Sequence, residues 1–327
     1  MGYKSQLSAG FEPEFFDINI DRSHPEKVYK QFEAMQKEAQ NAGVDTKFGI
    51  NKFGDMNKAE FQDRLSKVPP GNYSKVPVFN LKNVRSKRQM DNLPVKFDLR
   101  NKKIGGRYII GPVKNQGHCS CCWAFAATAV AEAAYSVHQK MMTSLSDQEV
   151  CDCGAKSVPG CQGGDPTLGL EYIADMGLSL ESEYKYVDGR ASSLSVCAAD
   201  KHDRKLNAYV LDYYRIDPFN AEYQIMRHLY YLNTPVAVAF RIGDGFRYYE
   251  SGVLEMADCN GEPKDVWHSG AIVGYGTTRN SRGKSLNYWI VKNSWDSDWG
   301  EEGYVRVARG RNWCSVESQG TGARIPE

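Results

Sequence analysis

The sequence lacks an excess of charge of either sign. Its 41 Lys and Arg residues are balanced by 40 Asp and Glu residues, which leaves a formal net charge of +1. Nucleic-acid-binding proteins usually carry a strong positive field, so this composition argues against such a partner. The chain also lacks any apolar run of about eighteen residues, the length that a membrane-spanning helix requires. We therefore expect neither nucleic acid nor a membrane among its partners.

A secretory signal is also missing from the start of the chain. The opening MGYKSQLSAGFEPEFF has no basic start leading into an apolar run, and Gln6 stands where an N-myristoylation site needs Ser or Thr. The one usable N-glycosylation sequon, Asn72-Tyr73-Ser74, is nevertheless typical of a protein on the secretory route. We expect a lysosomal or secreted glycoprotein whose signal peptide is not present in this chain.

The cysteines lack the paired spacing of a structural zinc site. They form C-x-C-C and C-x-C clusters with no matching histidine pair, so we expect no metal and no cofactor. Because their number is odd, at least one thiol stays unpaired if the others form disulfides, and that thiol is the candidate for chemistry. The nine cysteines stand at positions 119, 121, 122, 151, 153, 161, 197, 259 and 314.

A proline-rich connector divides the chain into two parts. With 327 residues, the chain exceeds the usual size of one domain. Around residues 67–93, the stretch KVPPGNYSKVPVFNLKNVRSKRQMDNLP carries four prolines and a basic run, the composition of an extended connector. Before it, the spacing of apolar residues predicts a helix over 25–40 and a short strand over 47–53, and Asn57 is expected to cap a small helix through Leu65.

After the connector, the sequence changes from helical to β texture. The Ala-rich residues 122–139 predict a largely buried helix, and Ser146 to Glu149 form a capping-box pattern that starts another. A helical half followed by a β half favours an α+β protein with two lobes and a cleft between them. Runs rich in β-branched or aromatic residues predict strands over 235–240, 269–276, 287–295 and 303–309.

Three residues stand out as candidates for covalent catalysis. Cys122 begins the predicted helix, where the N-terminal amides favour a thiolate. A thiolate nucleophile needs a general acid, and His268 lies at the entry to a predicted strand that can face the cleft. Asn293 carries an amide that could orient an imidazole. Taken singly, such a histidine is more often structural and such an asparagine is an ordinary turn residue.

Three segments, in chain order, resemble those of a known enzyme family. QGHCSCCWAF, VWHSGAIVGYG and YWIVKNSWDSDWGEEGY are similar to the active-site segments of papain-like cysteine peptidases, and the resemblance runs from about Leu93 to Ile325. It implies a papain-like two-lobe α+β fold, with a helical left lobe, a β-barrel-like right lobe and the active-site cleft between them.

The resemblance assigns roles around the reacting thiol. Cys122 would be the nucleophile and His268 its ion-pair partner, while Asn293 would hold the imidazole in orientation. Gln116 would donate a hydrogen bond to the oxyanion that forms on the scissile carbonyl. Trp295 would shield the hydrogen bond between the imidazole and the amide from water.

The resemblance also implies a set of substrate-binding residues. The pocket for the substrate residue two positions before the scissile bond would be mainly apolar, so Leu, Val or Phe is expected there and Arg is disfavoured. No long insertion separates Cys153 from Cys161, so endopeptidase action is expected over dipeptide trimming. The implied substrate-binding residues are Gly163, Gly164, Pro166, Ala239, Val266, Ser269, Trp295 and Gln319.

Disulfides follow from the same resemblance. Three bridges are implied, Cys119 to Cys161, Cys153 to Cys197 and Cys259 to Cys314. Apart from the nucleophile, Cys121 and Cys151 then remain, and each replaces a non-cysteine of the family pattern. Two outcomes stay open, namely a fourth disulfide between them or two buried free thiols that pack as small hydrophobes.

The upstream segment resembles an inhibitory propeptide of this family. The stretch GINKFGD, from Gly49 to Asp55, is similar to its G-x-N-x-F-x-D motif. The resemblance implies a mostly helical prodomain over residues 1–92 that inhibits a peptidase domain over residues 93–327. Further expected partners of this monomeric enzyme are protein or peptide substrates and cystatin-like inhibitors.

Acid should promote removal of this prosegment. Acidic side chains such as Asp55 would lose their contacts on protonation, so we expect processing to accelerate toward low pH. The cut is expected between Arg88 and Leu93, where Lys87-Arg88 offers a second route to a processing protease.

Two other functional classes remain possible at this stage. A papain-fold protein with weak or no proteolytic activity, acting as a binding protein, would be expected to lose one of the four catalytic residues. A thiol acyltransferase or amidase has no reason to carry GINKFGD. The sequence also departs from the family pattern at Ser120 and Cys121 and in the longer stretch 101–111, and His118 is interpreted as a solvated surface residue.

Overall fold

A computed structural model describes residues 24–71, 73–79, 92–154, 160–187, 196–199, 212–255, 259 and 266–325. The helices are α1 (His24–Ala42), α2 (Lys58–Gln62), α3 (Cys122–Gln139), α4 (Asp147–Cys153), α5 (Pro166–Met176), α6 (Ala221–Leu232) and α7 (Asp244–Arg247). The strands are β1 (Lys47–Phe48), β2 (Phe97–Asp98), β3 (Lys103–Ile104), β4 (Arg107–Tyr108), β5 (Asp212–Arg215), β6 (Val236–Arg241), β7 (Tyr249–Ser251), β8 (Val253–Leu254), β9 (Trp267–Arg279), β10 (Ser285–Lys292), β11 (Tyr304–Ala308) and β12 (Gly320–Arg324). In these parts of the chain, no helix combines the length and apolar character that crossing a bilayer requires.

The helical part is built around α3, whose bounds coincide with the helix predicted from the sequence. Its Ala-rich surface lets α5 and β9 pack closely against it, so most of its side chains are buried. The Ser146 side chain caps α4 by accepting a hydrogen bond from the Glu149 amide. The Glu149 carboxylate does not complete a capping box in this structure, because it accepts hydrogen bonds from Tyr172 and from the Ser179 amide instead.

The β part is one eight-stranded sheet with the order β5-β12-β6-β9-β10-β11-β8, and β2 joins the side of β9. Four of its strands match the predicted runs. The expectation of a purely β second half was incomplete, because α6 lies within it and buries Ile225 and Leu229. β12 was missed because its sequence, GTGAR, contains no bulky β-forming side chain.

The segment before the connector contains the predicted helices but not the full predicted strand. The prediction of a strand over 47–53 was wrong beyond Phe48, because the Asn51 side chain accepts a hydrogen bond from the Phe53 amide and turns the backbone. The Gly54 amide closes the same turn by donating to the Asn51 carbonyl. Asn57 caps α2 as expected, and Glu60 completes its capping box, but the helix ends at Gln62 rather than at Leu65.

This segment contacts the body of the protein at several places between Gln31 and Phe79. β1 pairs antiparallel with β7, and Phe48, Phe53 and Phe61 enter the same buried cluster as the large sheet. Farther along, Val78 forms a parallel bridge with Arg215. The segment therefore covers the body from β7 to β5, and residues 80–91, which contain the basic run, lie outside the described part.

The stretch 101–111, which is longer than in the family pattern, contains a β-hairpin. β3 and β4 pair antiparallel around Gly105 and Gly106, whose φ angles are 61° and 81°. A two-residue hairpin turn needs such left-handed backbone, which glycine adopts without strain. The Lys103 ammonium lies 4.3 Å from the centre of the Tyr108 ring and covers one face of the hairpin.

Four disulfides cross-link the body. Three join the pairs that the resemblance implied, and of the two outcomes left open, the structure contains the fourth bridge, between Cys121 and Cys151. Their Cα atoms are 5.9 Å apart, within the usual range for a disulfide. Among the described cysteines, Cys122 alone is unpaired.

These bridges predict a thiol count. Denatured but unreduced protein should present one alkylatable thiol per chain, because Cys122 is the single cysteine outside a disulfide. Peptide mapping after alkylation identifies it. Alkylation of Cys121 and Cys151 as well would contradict the fourth bridge. Replacing both by alanine should lower the free energy of unfolding by about 3 to 4 kcal/mol, the loss expected for a loop of this length.

Candidate active site

Cys122 lies at the first position of α3 and is fully buried. Backbone groups of Ser269, Trp123 and Ser66 and the Ser269 hydroxyl surround its sulfur. Burial raises the pKa of the Cys122 thiol to about 11, while these neighbouring polar groups act in the opposite direction. In this covered state the thiol is therefore neutral at physiological pH.

His268 is the second residue of β9, at the cleft side of the sheet, and is also fully buried. Its Nε2 lies 2.7 Å from Oδ1 of Asn293, which orients the ring. Burial lowers the pKa of His268 to about 4, against the hydrogen bond with Asn293. Nδ1 has no hydrogen-bond partner among the described residues, so one nitrogen remains available for proton transfer.

Gln116 has a side chain fixed at both ends. Its Oε1 accepts a hydrogen bond of 2.6 Å from the Ser294 hydroxyl, which directs Nε2 toward the cleft. Nε2 donates to the carbonyl of Cys119 at 2.8 Å and to the carbonyl of Arg64 at 2.9 Å. The amide expected to bind an oxyanion thus holds a carbonyl oxygen of the upstream segment.

Ser120, which replaces a glycine of the family pattern, contacts the same turn. Its hydroxyl lies 2.9 Å from the Asp63 carbonyl and 3.0 Å from the Leu65 carbonyl. Together with Gln116, it contacts three successive carbonyls just after the end of α2. A glycine at this position would provide no such donor.

Ser66 follows this turn and lies directly over the cleft. Its backbone exchanges two hydrogen bonds with Trp267, of 2.8 and 2.7 Å. Its hydroxyl lies 3.3 Å from the Gly164 amide, and a side chain on Gly163, whose φ is 110°, would collide with it. The two glycines predicted to bind substrate therefore contact the upstream segment. At Gly163 the absence of a Cβ is what admits Ser66 so closely, whereas a Cβ on Gly164 would collide with Trp123.

An aromatic cluster covers the histidine and asparagine pair. Trp295 lies with its ring centre 4.7 Å from that of His268, in agreement with the shielding role expected for it. Phe53 and Phe61 of the upstream segment pack edge-on against Trp295 at 4.9 and 5.5 Å. Water is thereby kept from the hydrogen bond between His268 and Asn293.

Arg247 ties the GINKFGD turn to this cluster. Its guanidinium donates to the carbonyls of Phe53 and Met56 and lies 4.9 Å from the centre of the Phe61 ring. Asp55, which the sequence suggested as the acid-sensitive contact, is exposed and acts on Arg247 only by electrostatic attraction. Main-chain carbonyls and aromatic rings, rather than the Asp55 carboxylate, provide the described contacts with Arg247.

His118 has a contact that the sequence did not indicate. It is exposed, as expected, but its Nδ1 lies 2.8 Å from the Arg64 guanidinium. Arg64 also donates a hydrogen bond of 2.7 Å to the Gly117 carbonyl. An arginine can only donate, so the imidazole nitrogen must carry a free lone pair.

The residues predicted to form the substrate pocket come from α5, from β6, from β9 and from the segments next to β9 and β12. Pro166 opens α5, Ala239 pairs with Ser269, and the Ala239 amide donates to the Gln319 carbonyl at 3.3 Å. Val266, which stands two residues before His268 in the sequence, is buried. A cavity of about 380 Å³ opens next to Gln319, and its wall includes Asp165 and Arg215. Sequence reasoning missed these two charged residues, although an Asp before Pro166 is a recognisable helix-cap signal.

A buried charge cluster lies below the cleft and was also missed. The Lys114 ammonium contacts Glu132 at 2.8 Å and Asp147 at 2.6 Å. Burial raises the pKa of Asp147, and the nearby Lys114 opposes that rise. Lys292, directly before Asn293, is buried beside this cluster, and burial lowers its pKa.

Comparison with known proteins identifies the family. Residues 93–323 match the model of the papain family cysteine protease. The chain is 35% identical to Cysteine proteinase 2 of Zea mays, in an alignment that covers 89% of this chain and 77% of that protein. It is also 35% identical to Pro-cathepsin H of Mus musculus, in an alignment that covers 83% of this chain and 75% of that protein. Digestive procathepsin L2 proteinase from Tenebrio molitor larval midgut has a similar structure, with a TM-score of 0.78 and 27% sequence identity. The superposition covers 93% of this chain and 92% of that protein. The resemblance seen in the sequence is confirmed, and the chain belongs to the papain family of cysteine proteases.

Proposed function

We propose that this protein is the zymogen of an endopeptidase in which Cys122, His268, Asn293 and Gln116 carry out peptide-bond hydrolysis. Residues 1–92 would be its inhibitory propeptide and residues 93–327 the peptidase domain. Structures similar to this chain include precursors, among them a recombinant stem bromelain precursor with a TM-score of 0.74 and 28% identity. That likeness supports the zymogen proposal.

One observation carries the proposal. The Gln116 amide, 2.9 Å from the Arg64 carbonyl, already binds a peptide carbonyl, which is the group that becomes an oxyanion during acyl transfer. The bound carbonyl belongs to the upstream segment, whose Ser66 covers Cys122. The same contact therefore supports both the catalytic role of Gln116 and the inhibitory role of the segment.

The reaction follows from these positions. The Cys122 thiolate attacks the scissile carbonyl, and Gln116 Nε2 with the Cys122 amide stabilises the oxyanion. His268 protonates the leaving amine and then takes a proton from the water that resolves the acyl-enzyme. Asn293 keeps the imidazole in the orientation that both transfers need.

A catalytically silent binding protein is less well supported. All four catalytic residues are present in this chain, and Asn293 is in hydrogen-bond contact with His268. A scaffold without activity would have no reason to retain the buried cysteine, the oriented imidazole and the fixed amide in one cleft.

The other proposals follow from the family resemblance. The proposed cut between Arg88 and Leu93 falls mostly on residues outside the described part, as does Asn72 of the sequon. Residues 155–159, which lie between Cys153 and Cys161, are also outside the described part. The expectation of endopeptidase action, which rests on the lack of a long insertion there, therefore stays a proposal. Lysosomal or secreted localisation, monomeric state and inhibition by cystatin-like proteins remain proposals.

Peptidase activity tests the proposal directly. After prosegment removal, the enzyme should hydrolyse a fluorogenic dipeptidyl substrate, and a thiol-directed epoxide or Cys122→Ala should abolish the signal. Gln116→Ala should lower kcat by about 10² to 10³ with little change in KM, because its hydrogen bond strengthens in the transition state. No hydrolysis by the processed wild type would contradict the proposal and favour a binding protein.

The covered thiol should react in a pH-dependent way. Because burial raises the pKa of Cys122 to about 11, its alkylation by iodoacetamide in the precursor should rise about tenfold per pH unit between about pH 7 and 9. Processed enzyme should react faster at neutral pH with a shallower slope, since water and His268 can then stabilise the thiolate. A pH-independent rate in the precursor would contradict this account. Cys122→Ser serves as the control, because it removes the free thiol.

Acid activation remains a proposal, and processing rates measured from pH 4 to 7 check it. The contact of His118 with Arg64 should help to hold the prosegment in place, because an imidazole lone pair accepts the hydrogen bond from the guanidinium. His118→Ala removes that acceptor and should speed processing about fivefold, roughly 1 kcal/mol for one hydrogen bond, whereas His118→Gln keeps an acceptor and should not. His138→Gln, on exposed α3 surface, is the control, and identical rates for wild type and His118→Ala would refute the role.

A further inference from the structure

Asp165 is a buried carboxylate at the edge of the cleft. Only 4% of its surface is exposed. Its Oδ1 caps α5 by accepting the Thr167 amide hydrogen at 2.7 Å, which fixes the side chain. Its other oxygen, Oδ2, faces the upstream segment, where it accepts the Gly71 amide hydrogen at 3.1 Å.

The Tyr73 hydroxyl interacts with the same carboxylate. Burial raises the pKa of the Tyr73 phenol, and the charge of Asp165 raises it further, so the phenol remains an O–H donor at physiological pH. Gly71, which bonds the cleft-facing oxygen, and Tyr73, which interacts with the same carboxylate, both belong to the segment that is proposed to be removed during processing. A buried carboxylate that loses its donors without replacement is energetically unfavourable.

We propose that Asp165 is a specificity-determining residue that accepts a hydrogen bond from a substrate side chain in the place of Tyr73, so that the processed enzyme prefers tyrosine to phenylalanine there. This inference rests on the proposed function. It also revises the mainly apolar substrate pocket expected from the sequence, in which Leu, Val or Phe would be favoured.

The position of the selected substrate residue follows from the neighbours of Asp165. Pro166 follows it directly, and Gln319 lies on the wall of the same 380 Å³ cavity. Both were assigned by resemblance to the pocket for the residue two positions before the scissile bond. Since Asp165 lies at the edge of that pocket, next to Gly164, the selected residue is two or three positions before the scissile bond.

The charge on the other wall favours a neutral donor over a cationic one. Arg215 lines the same cavity as Asp165, and a lysine or arginine side chain entering it would meet a like charge. A phenol supplies a hydrogen-bond donor without charge. Tyr73 already places an aromatic ring against this wall, so the space accepts that shape.

The test uses processed enzyme and two pairs of peptide substrates. Within each pair the peptides differ only by Tyr or Phe, placed either two or three residues before the scissile bond, and kcat/KM is measured for each. A hydrogen bond to a buried carboxylate should favour Tyr by about tenfold or more at one of the two positions. A Tyr-to-Phe ratio near one at both positions would overturn the inference.

Variants show whether the ratio depends on Asp165. Asp165→Ser keeps an oxygen that can cap α5 but has no second oxygen for the substrate, so the ratio should fall to about one. Asp165→Thr caps α5 in the same way and also lacks the second oxygen, so it should lose the preference as well. A wild-type ratio retained in either folded variant would refute the role of Asp165.

A matched control comes from a second capping aspartate before a proline. Asp217 Oδ1 caps the short helix Pro218–Asn220 by accepting the Phe219 amide hydrogen, and Asp217 does not line the cavity. Asp217→Ser should keep the wild-type ratio, and a ratio of about one in it would refute a specific role for Asp165. Hydrolysis of all peptides without preference overturns this inference alone, whereas absence of hydrolysis overturns the proposed function with it.

Discussion

Hydrogen bonding between Gln116 and the Arg64 carbonyl is the interaction on which the covered state depends. For this carbonyl to reach the amide, α2 must end just before it, and the capping box at Asn57 sets where that helix begins. Phe53 and Phe61 anchor the helix on Trp295, and Ser66 then falls over the thiol. Because the segment keeps water out of the cleft, the Cys122 thiol and the His268 imidazole stay neutral. The same contact therefore blocks substrate from the cleft and shifts the pKa values of both groups.

Local patterns in the sequence marked Cys122, His268 and Asn293 as candidates and the family resemblance added Gln116, but neither revealed all of their contacts. Cys122 was recognisable because helix starts have a local signature, and α3 follows its predicted bounds. The contact between Arg64 and His118 joins residues from separate segments, and no local pattern encodes such a pairing. The sequence indicated that Asp165 caps α5, because an Asp stands directly before Pro166. Its contact with Tyr73 could not be predicted, because the two residues meet only in the folded chain. The short strand β12 escaped notice because its backbone pairing, rather than its side chains, places it in the sheet.

Two covalent bonds hold the residues that come just before the helix start at Cys122. Cys119 is joined to Cys161, and Cys121 is joined to α4 through Cys151. The four sulfur atoms of these two bridges lie within 4.8 Å of one another. The segment that carries Gln116, Ser120 and the nucleophile therefore has little freedom to shift, which suits groups whose use depends on distances of a few tenths of an ångström.

The place of Ser66 over Cys122 has a kinetic consequence. A molecule whose cleft is filled by its own segment cannot hold its connector in that cleft at the same moment. If activation requires a cut in the connector, as proposed, the first cut must follow either a slow opening of the same chain or a collision with a molecule that is already open. In the second case the reaction is bimolecular and self-accelerating, so the lag before activity appears would shorten as the precursor becomes more concentrated. A compartment that stores the protein at high density would then switch it on abruptly, whereas a dilute one would keep it dormant.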